Sequence, residues 1–188
     1  MQDEAWLAFS ERVACEDRWH VDCIPAEWPL PAAAFGRLSE NNAVALAAIT
    51  AFEEHRVEGS DEDHPLMQEV LRLDAKVTAL VDIVNRLLVP AATLPPRQLI
   101  RFNTIGAVIP LAMMPASVDA ILLRLRFDAC LSLPLEFAGQ QQRQFTDGHV
   151  FIAFAALADA QKDAVERLVF RHHRRKVAEA RQLTDGVP

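Results

Sequence analysis

The sequence predicts an α+β protein in which a helical segment precedes a small antiparallel sheet, sandwich or barrel that itself ends in a helix. Two patterns carry this prediction. Valine and leucine repeat with the spacing of a helical heptad within residues 66–87. Short apolar or alternating segments, separated by turn residues, follow between residues 91 and 157. With 51% hydrophobic and 24% charged residues among 188, the chain has enough apolar material for a packed core.

The composition also restricts the compartment and the partners. A net charge of −7 repels nucleic acid, which we therefore do not expect as a partner. Cys15, Cys23 and Cys130 lack the spacing of a zinc site or a disulfide framework, and free thiols suit a reducing compartment. The acidic N-terminus does not resemble a signal peptide, and the apolar stretch 43–52 is too short to span a membrane. We therefore expect a soluble cytoplasmic protein.

The N-terminal region divides into an arm and a helical segment. Residues 1–37 are expected to form an extended arm that adds one or more strands to the sheet, because several prolines interrupt any helical pattern. Residues 38–90 are expected to be helical. Within them, apolar residues from Val44 to Phe52 recur at helical spacing and predict a first helix over 41–56.

The heptad is the clearest pattern in the sequence. It has valine at every a position and leucine at every d position, and it ends before Pro90, which cannot continue a helix. A helix over 66–87 is about 30 Å long, enough for a short coiled coil. The a and d positions are Leu66, Val70, Leu73, Val77, Leu80, Val84 and Leu87.

The flanking e and g positions widen the apolar face in its second half, through Val81, Ile83 and Leu88. Valine at a with leucine at d favours two strands, whereas additional apolar e and g positions favour a larger bundle. We therefore predict a homo-oligomer, with a tetramer favoured over a dimer. The alternative is that this face packs on the helix's own domain, since any globular helix presents an apolar stripe.

Residues 91–188 are expected to contain the sheet and a closing helix. The polar run 140–144 is expected at a hairpin tip. The closing helix is expected to begin near Asp159 and to have a basic end. Its predicted buried face consists of Val165, Leu168, Val169 and His172. The expected strands cover 99–102, 106–109, 118–127, 131–137 and 150–154.

The C-terminal half resembles a PilZ domain. The resemblance covers roughly residues 91–181, and its most specific part is a strand ending in Phe154, with Leu157 three residues later and a closing helix that carries the pair Arg174–Arg175. It implies a six-stranded antiparallel barrel with a C-terminal helix. It also implies a bacterial protein linked to signalling by cyclic di-GMP, because many PilZ domains are receptors for that second messenger.

Such receptors grip the nucleotide with an Arg-x-x-x-Arg segment and an (Asp or Asn)-x-Ser-x-x-Gly turn, in which arginine forks bind phosphate and stack on guanine. Aligning the turn on Gly106 places Arg101 at the Asp or Asn position and Asn103 at the Ser position, so the acceptor is lost. Arg97 and Arg101 match the arginine string, but they lie directly against the turn. On a strand they share one face, which favours solvated charges.

No catalytic constellation is recognisable in the sequence. Adjacent His172 and His173 point in different directions on a helix and lack a further ligand, so no metal site is expected. The favoured hypothesis is a non-enzymatic, oligomeric PilZ-like protein that docks an unidentified protein partner without binding cyclic di-GMP and needs no cofactor. The alternative is a cyclic di-GMP receptor with a non-standard site formed by Arg97, Arg101, Asn103 and Gly106. A third possibility is an enzyme with a site shared between subunits, for which no residues can be named.

Overall fold

A computed structural model describes residues 2–54, 65–90 and 93–185 of the chain. The helices among these residues are α1 (Gln2–Ser10), α2 (Ala32–Glu54), α3 (Pro65–Leu88) and α4 (Asp159–Asp185). The strands are β1 (Cys15–Pro25), β2 (Arg97–Phe102), β3 (Gly106–Pro110), β4 (Ala120–Phe127), β5 (Cys130–Gln144) and β6 (His149–Phe154).

The six strands form one closed antiparallel barrel, in the order β1-β2-β3-β6-β5-β4. The first strand closes it: Cys15–His20 of β1 pair with β2, and His20–Pro25 pair with β4. Strand β1 lies within the arm 1–37 and supplies the strand that joins the two edges of the sheet. Closure leaves no sheet edge open to pair with another chain. The α+β class and the six-stranded barrel expected from the resemblance are confirmed.

The barrel is filled by alternate residues of its strands, which point inward because side chains of a strand alternate between faces. Trp19 of β1 contacts Phe102 and Phe127, with ring centroids 5.4 and 5.5 Å apart. Apolar residues of α4, among them Val165 and Leu168, pack against this core. The barrel and α4 therefore share one hydrophobic core.

Helix α4 buries the face that its sequence predicts. Val165, Leu168 and Val169 are at most 3% exposed, and His172 packs edge-on against the rings of Trp19 and Phe127. The Arg175 guanidinium donates a hydrogen bond to His172 Nδ1, 2.8 Å away. A hydrogen bond within the helix thus accompanies its apolar packing on the barrel.

Helix α2 packs along β5 through Leu46 and Ile49. Asn42 fixes its position: its side chain donates to Glu136 O at 2.6 Å and accepts from Glu136 N at 2.8 Å. A buried carboxamide that makes both hydrogen bonds to the backbone of one residue specifies a single register between helix and strand.

Two expectations for the N-terminal half are wrong. Residues 2–10 form a helix rather than part of an extended arm, and α2 begins at Ala32 instead of near residue 41. The three alanines after Pro31 favour a helix, and Phe35 N donates the first helical bond to Pro31 O at 2.9 Å. The predicted end near residue 56 falls on residues outside the described part of the chain.

The polar run 140–144 is also not a hairpin tip. It continues strand β5, whose pairing with β6 reaches Gln144 opposite Val150. The turn lies after it, at Gly148, where φ is +83°, a conformation that glycine adopts without strain. None of its five residues is fully buried, which explains why this run is polar without a turn.

Candidate functional site

The β2–β3 turn is organised by Asn103. Its amide donates to Phe9 O in α1 at 3.0 Å, its side-chain oxygen accepts from Ile105 N at 2.9 Å, and its backbone N–H donates to Gly106 O at 3.0 Å. Asn103 is 2% exposed. The side chain proposed for nucleotide contact is therefore committed to holding the turn and the N-terminal helix.

Gly106 is required by packing. A Cβ atom at this position would lie 2.3 Å from Ile152 O and 2.6 Å from the Phe151 ring. Glycine permits the close approach of β3 to β6. Its presence in the turn thus has a structural cause that is independent of any ligand.

Arg97 and Arg101 lie on the same strand but engage different partners. Arg97 donates to Arg18 O at 3.1 Å and forms an ion pair with Asp128. The Arg101 guanidinium lies 5.1 Å from the centroid of the Phe9 ring and 6.0 Å from that of Trp6. The two arginines do not converge on a common site, and Arg101 is half-buried beneath α1 rather than solvated.

A cleft of about 530 Å³ opens beside the turn, between the loop before β1, the β2–β3 turn and α4. Arg12 and Arg167 supply two positive charges, and Asp163 and Glu166 supply two negative ones. Glu166 accepts hydrogen bonds from Arg12 at 3.3 Å and from Thr104 at 3.5 Å. Val13 and Phe170 form exposed apolar walls.

This cleft has the volume of a small-molecule site but a balanced charge. An anionic nucleotide would have to compete with Glu166 for Arg12. Sequence reasoning missed Arg12, because an isolated arginine before an unrecognised first strand carries no signal. Asn103 is the one predicted site residue that also lines the cleft.

The second candidate site is the outward face of α3. Six of its a and d residues are between 49% and 75% exposed, namely Val70, Leu73, Val77, Leu80, Val84 and Leu87. Ile83 and Leu88 are 54% and 66% exposed, and Val81 is partly buried; the side chain of Leu66 lies outside the described residues. An apolar strip of this length on a single chain is typical of an interaction surface.

The opposite side of α3 meets the barrel. Asn85 is 6% exposed, and its side-chain oxygen accepts a hydrogen bond from Ser132 N in β5 at 3.4 Å. The a and d residues between Leu66 and Leu87 form a seam along the helix. A helix turns by about 100° per residue, which places Asn85 about 130° around the axis from the middle of this seam. The barrel therefore contacts α3 on a side that leaves the seam uncovered.

The described residues contain no group of three or more histidine, cysteine, aspartate or glutamate side chains placed to hold a metal ion. Among those same residues, no helix is long and apolar enough to cross a membrane.

Comparison with known proteins identifies related sequences and folds. Residues 45–182 match the family described as "Atypical PilZ domain, cyclic di-GMP receptor". A solved structure of a pathogenic protein from Xanthomonas campestris, described as a tetrameric PilZ domain self-assembled via an unusual helical bundle, is similar with a TM-score of 0.67 and 22% identity. The similarity covers 94% of this chain and 97% of that one. No curated protein matches.

Proposed function

Because the chain belongs to the family of atypical PilZ domains, we propose that it is a homotetrameric, non-enzymatic interaction protein in cyclic di-GMP signalling that does not itself bind the nucleotide. The exposed seam of α3 carries this proposal. A coiled-coil bundle would bury the seam, and it would hold several barrels close together.

The expected number of chains rests on two arguments. Apolar residues at the e and g positions, such as Ile83 and Leu88, widen the seam beyond what a two-stranded coiled coil covers, and both are exposed. The similar Xanthomonas campestris protein is a tetramer assembled through a helical bundle. Together they favour four chains over two.

The contacts of the turn support the absence of nucleotide binding. Asn103 bonds with Phe9 and Ile105, Arg97 pairs with Asp128, and Arg101 faces aromatic rings. A phosphate would have to displace each of these partners. Barrels that do not bind the messenger would then serve as docking surfaces for a protein partner, with avidity that increases with their number.

The compartment proposed for this activity is the cytoplasm. Cys15, Cys23 and Cys130 are all free thiols, as a reducing environment favours.

A second candidate function is a cyclic di-GMP receptor with a non-standard site. The family description and the cleft beside the turn favour it, since Arg12, Arg167 and Thr104 offer donors to phosphate. The non-standard site expected from the sequence also belongs to this second candidate function; its residues are Arg97, Arg101, Asn103 and Gly106.

Isothermal titration calorimetry with cyclic di-GMP separates the two functions. We expect no binding by the full chain at nucleotide concentrations up to about 100 μM, which corresponds to less than about 5.5 kcal/mol of binding free energy. Micromolar binding would favour the receptor. Arg12→Ala and Arg97→Ala would then show which arginines hold the phosphates, with the exposed Arg37→Ala on α2 as the matched control.

A further inference from the structure

Positive charge is concentrated in the middle of α4, although the chain as a whole is acidic. The net charge is −7, yet residues 167–176 contain five arginine or lysine side chains and no aspartate or glutamate. Arg167 and Arg174 are exposed, and Arg171 donates to the hydroxyl of Thr50 at 3.0 Å, a bond that leaves its charge in place. The last turn of α4 contains no basic residue, so stabilisation of the helix dipole does not explain the cluster.

An aromatic side chain lies among these charges. Phe170 is 53% exposed, and the Arg174 guanidinium lies 5.9 Å from the centroid of its ring. Arg167, Phe170, Arg174 and Val177 follow one another in steps of three, four and three, which places them on one face of the helix. Val177 is also exposed. Aromatic and arginine side chains are enriched at protein–protein interfaces, where the ring supplies contact area and the guanidinium supplies hydrogen bonds.

The cleft beside the β2–β3 turn adjoins this face, because Arg167 and Phe170 also line it. Val13, 49% exposed, is a second apolar wall of the cleft. Within the cleft the charges are balanced by Asp163 and Glu166, whereas α4 beyond Phe170 is basic. The face therefore has a direction, with a cavity for an uncharged group at one end and positive charge at the other.

We propose that this face of α4 docks an acidic segment of a protein partner. We call it the α4 surface and define it by Arg167, Phe170, Arg174 and Val177. The segment places a large apolar side chain in the cleft, between Val13 and Phe170, and its carboxylates pair with Arg167 and Arg174, whose forked donors fit them. The inference rests on the proposed function, since it names the surface by which each barrel would dock a partner.

Other occupants match the α4 surface less well. A second copy related by a two-fold axis would bring the same arginines against one another, because the same patch meets itself in such an interface. An anionic membrane would meet the charges, but its flat surface would leave the cleft empty, and the net charge of −7 opposes its approach. An acidic peptide matches the arginines, the exposed ring and the cavity together.

The test begins with a random peptide library displayed on phage and selected on the immobilised full chain. We expect the selected sequences to be rich in aspartate and glutamate and to contain at least one large apolar residue. The most enriched sequence is synthesised with a fluorescent label and titrated with the wild type by fluorescence anisotropy. Because its carboxylates pair with exposed arginines, its binding should weaken as the salt concentration rises.

Two variants locate the binding. Phe170→Ala removes a wall of the cleft and Arg174→Glu reverses a charge, and each should weaken peptide binding at least tenfold. Leu133→Ala on β5 and Arg37→Glu on α2 are the matched controls, because both residues are exposed and neither lines the cleft. The controls should bind like the wild type. Thermal unfolding checks each variant, and because the two test residues are exposed, their replacement should leave the fold intact.

Selected peptides without an excess of acidic residues would overturn the inference, and so would acidic peptides that bind the two variants as tightly as the controls. Sedimentation with vesicles of equal parts phosphatidylglycerol and phosphatidylcholine tests the membrane. Vesicle binding that Arg174→Glu abolishes, with no acidic peptide selected, would overturn the inference in favour of a lipid surface. A tetramer that selects no acidic peptide would contradict this inference alone. A monomeric wild type that binds such peptides through the α4 surface would support it and contradict the proposed assembly.

Discussion

Gly106 lies so close to strand β6 that a methyl group would meet both a carbonyl oxygen and an aromatic ring. The neighbouring Phe151 cannot move away, because Phe9 and Trp6 pack on it from the outside. The role of this glycine is therefore steric, and it belongs to the packing of the barrel wall and of α1 together.

Gly106→Ala should destabilise the protein by about 1–3 kcal/mol, the usual cost of overpacking a tight site. Gly36→Ala is the matched control, because no atom lies within 4 Å of its added Cβ on α2. A helical alanine there should stabilise by about 0.5–1 kcal/mol. Urea denaturation of both variants measures the difference, and equal effects at the two positions would contradict the steric explanation.

The thiol of Cys23 is held in its neutral form. Burial in the barrel wall and, to a smaller extent, the charge of Asp22 raise its pKa from 9.0 to about 12. The pKa of Cys23 is higher in the folded chain than in the unfolded one. The contribution of the neutral thiol to stability is therefore fully present below pH 9.0 and is lost as the pH rises towards about 12.

Between about pH 8 and about pH 10.5, the wild type should lose about 2 kcal/mol more unfolding free energy than Cys23→Ala does, on the order of 1.4 kcal/mol per pH unit above 9. Urea denaturation of both proteins at the two pH values measures this. Parallel loss of stability would show that Cys23 ionises freely in the folded chain.

Single residues also show where sequence reasoning reaches its limit. The loss of the acceptor at the turn was visible from Arg101 and Asn103 alone. The contacts that these two residues make could not be predicted, because they depend on α1. Neither a capping residue nor an apolar period in the sequence indicates this helix. Arg143 and Trp6 are about 140 residues apart in the chain, and only barrel closure brings them together.

At the scale of elements, α3 differs from the other helices in what it leaves exposed. Its register was predictable because a period of seven recurs without interruption, and such a pattern depends only on local sequence. The start of α2 was not predictable in the same way, since prolines before a helix and prolines within an arm look alike. The strands were found, but the end of β5 depends on pairing with β6, which is a tertiary property.

Charge on the seam should separate the chains. Leu80→Asp places an unpaired carboxylate in the proposed interface and should weaken association by roughly 3 kcal/mol or more, over a hundredfold in dissociation constant. Ala75→Asp adds the same charge about 170° around the helix from the seam and should leave association unchanged. Sedimentation velocity at matched concentrations measures both variants. Equal behaviour of the two would argue that the seam is not the interface.

The whole molecule combines a closed barrel, which supplies the core, with a helix whose apolar face points away from it. The barrel would be complete without α3. The seam of α3 has no partner in its own chain among the described residues. The proposed assembly would bring several barrels close together. It would let weak contacts with a partner act together.

The mass of the full chain in solution tests this account most directly. Light scattering coupled to size-exclusion chromatography, at micromolar concentration, should show a particle of four times 20.9 kDa. A particle of 20.9 kDa, unaltered by Leu80→Asp, would contradict it.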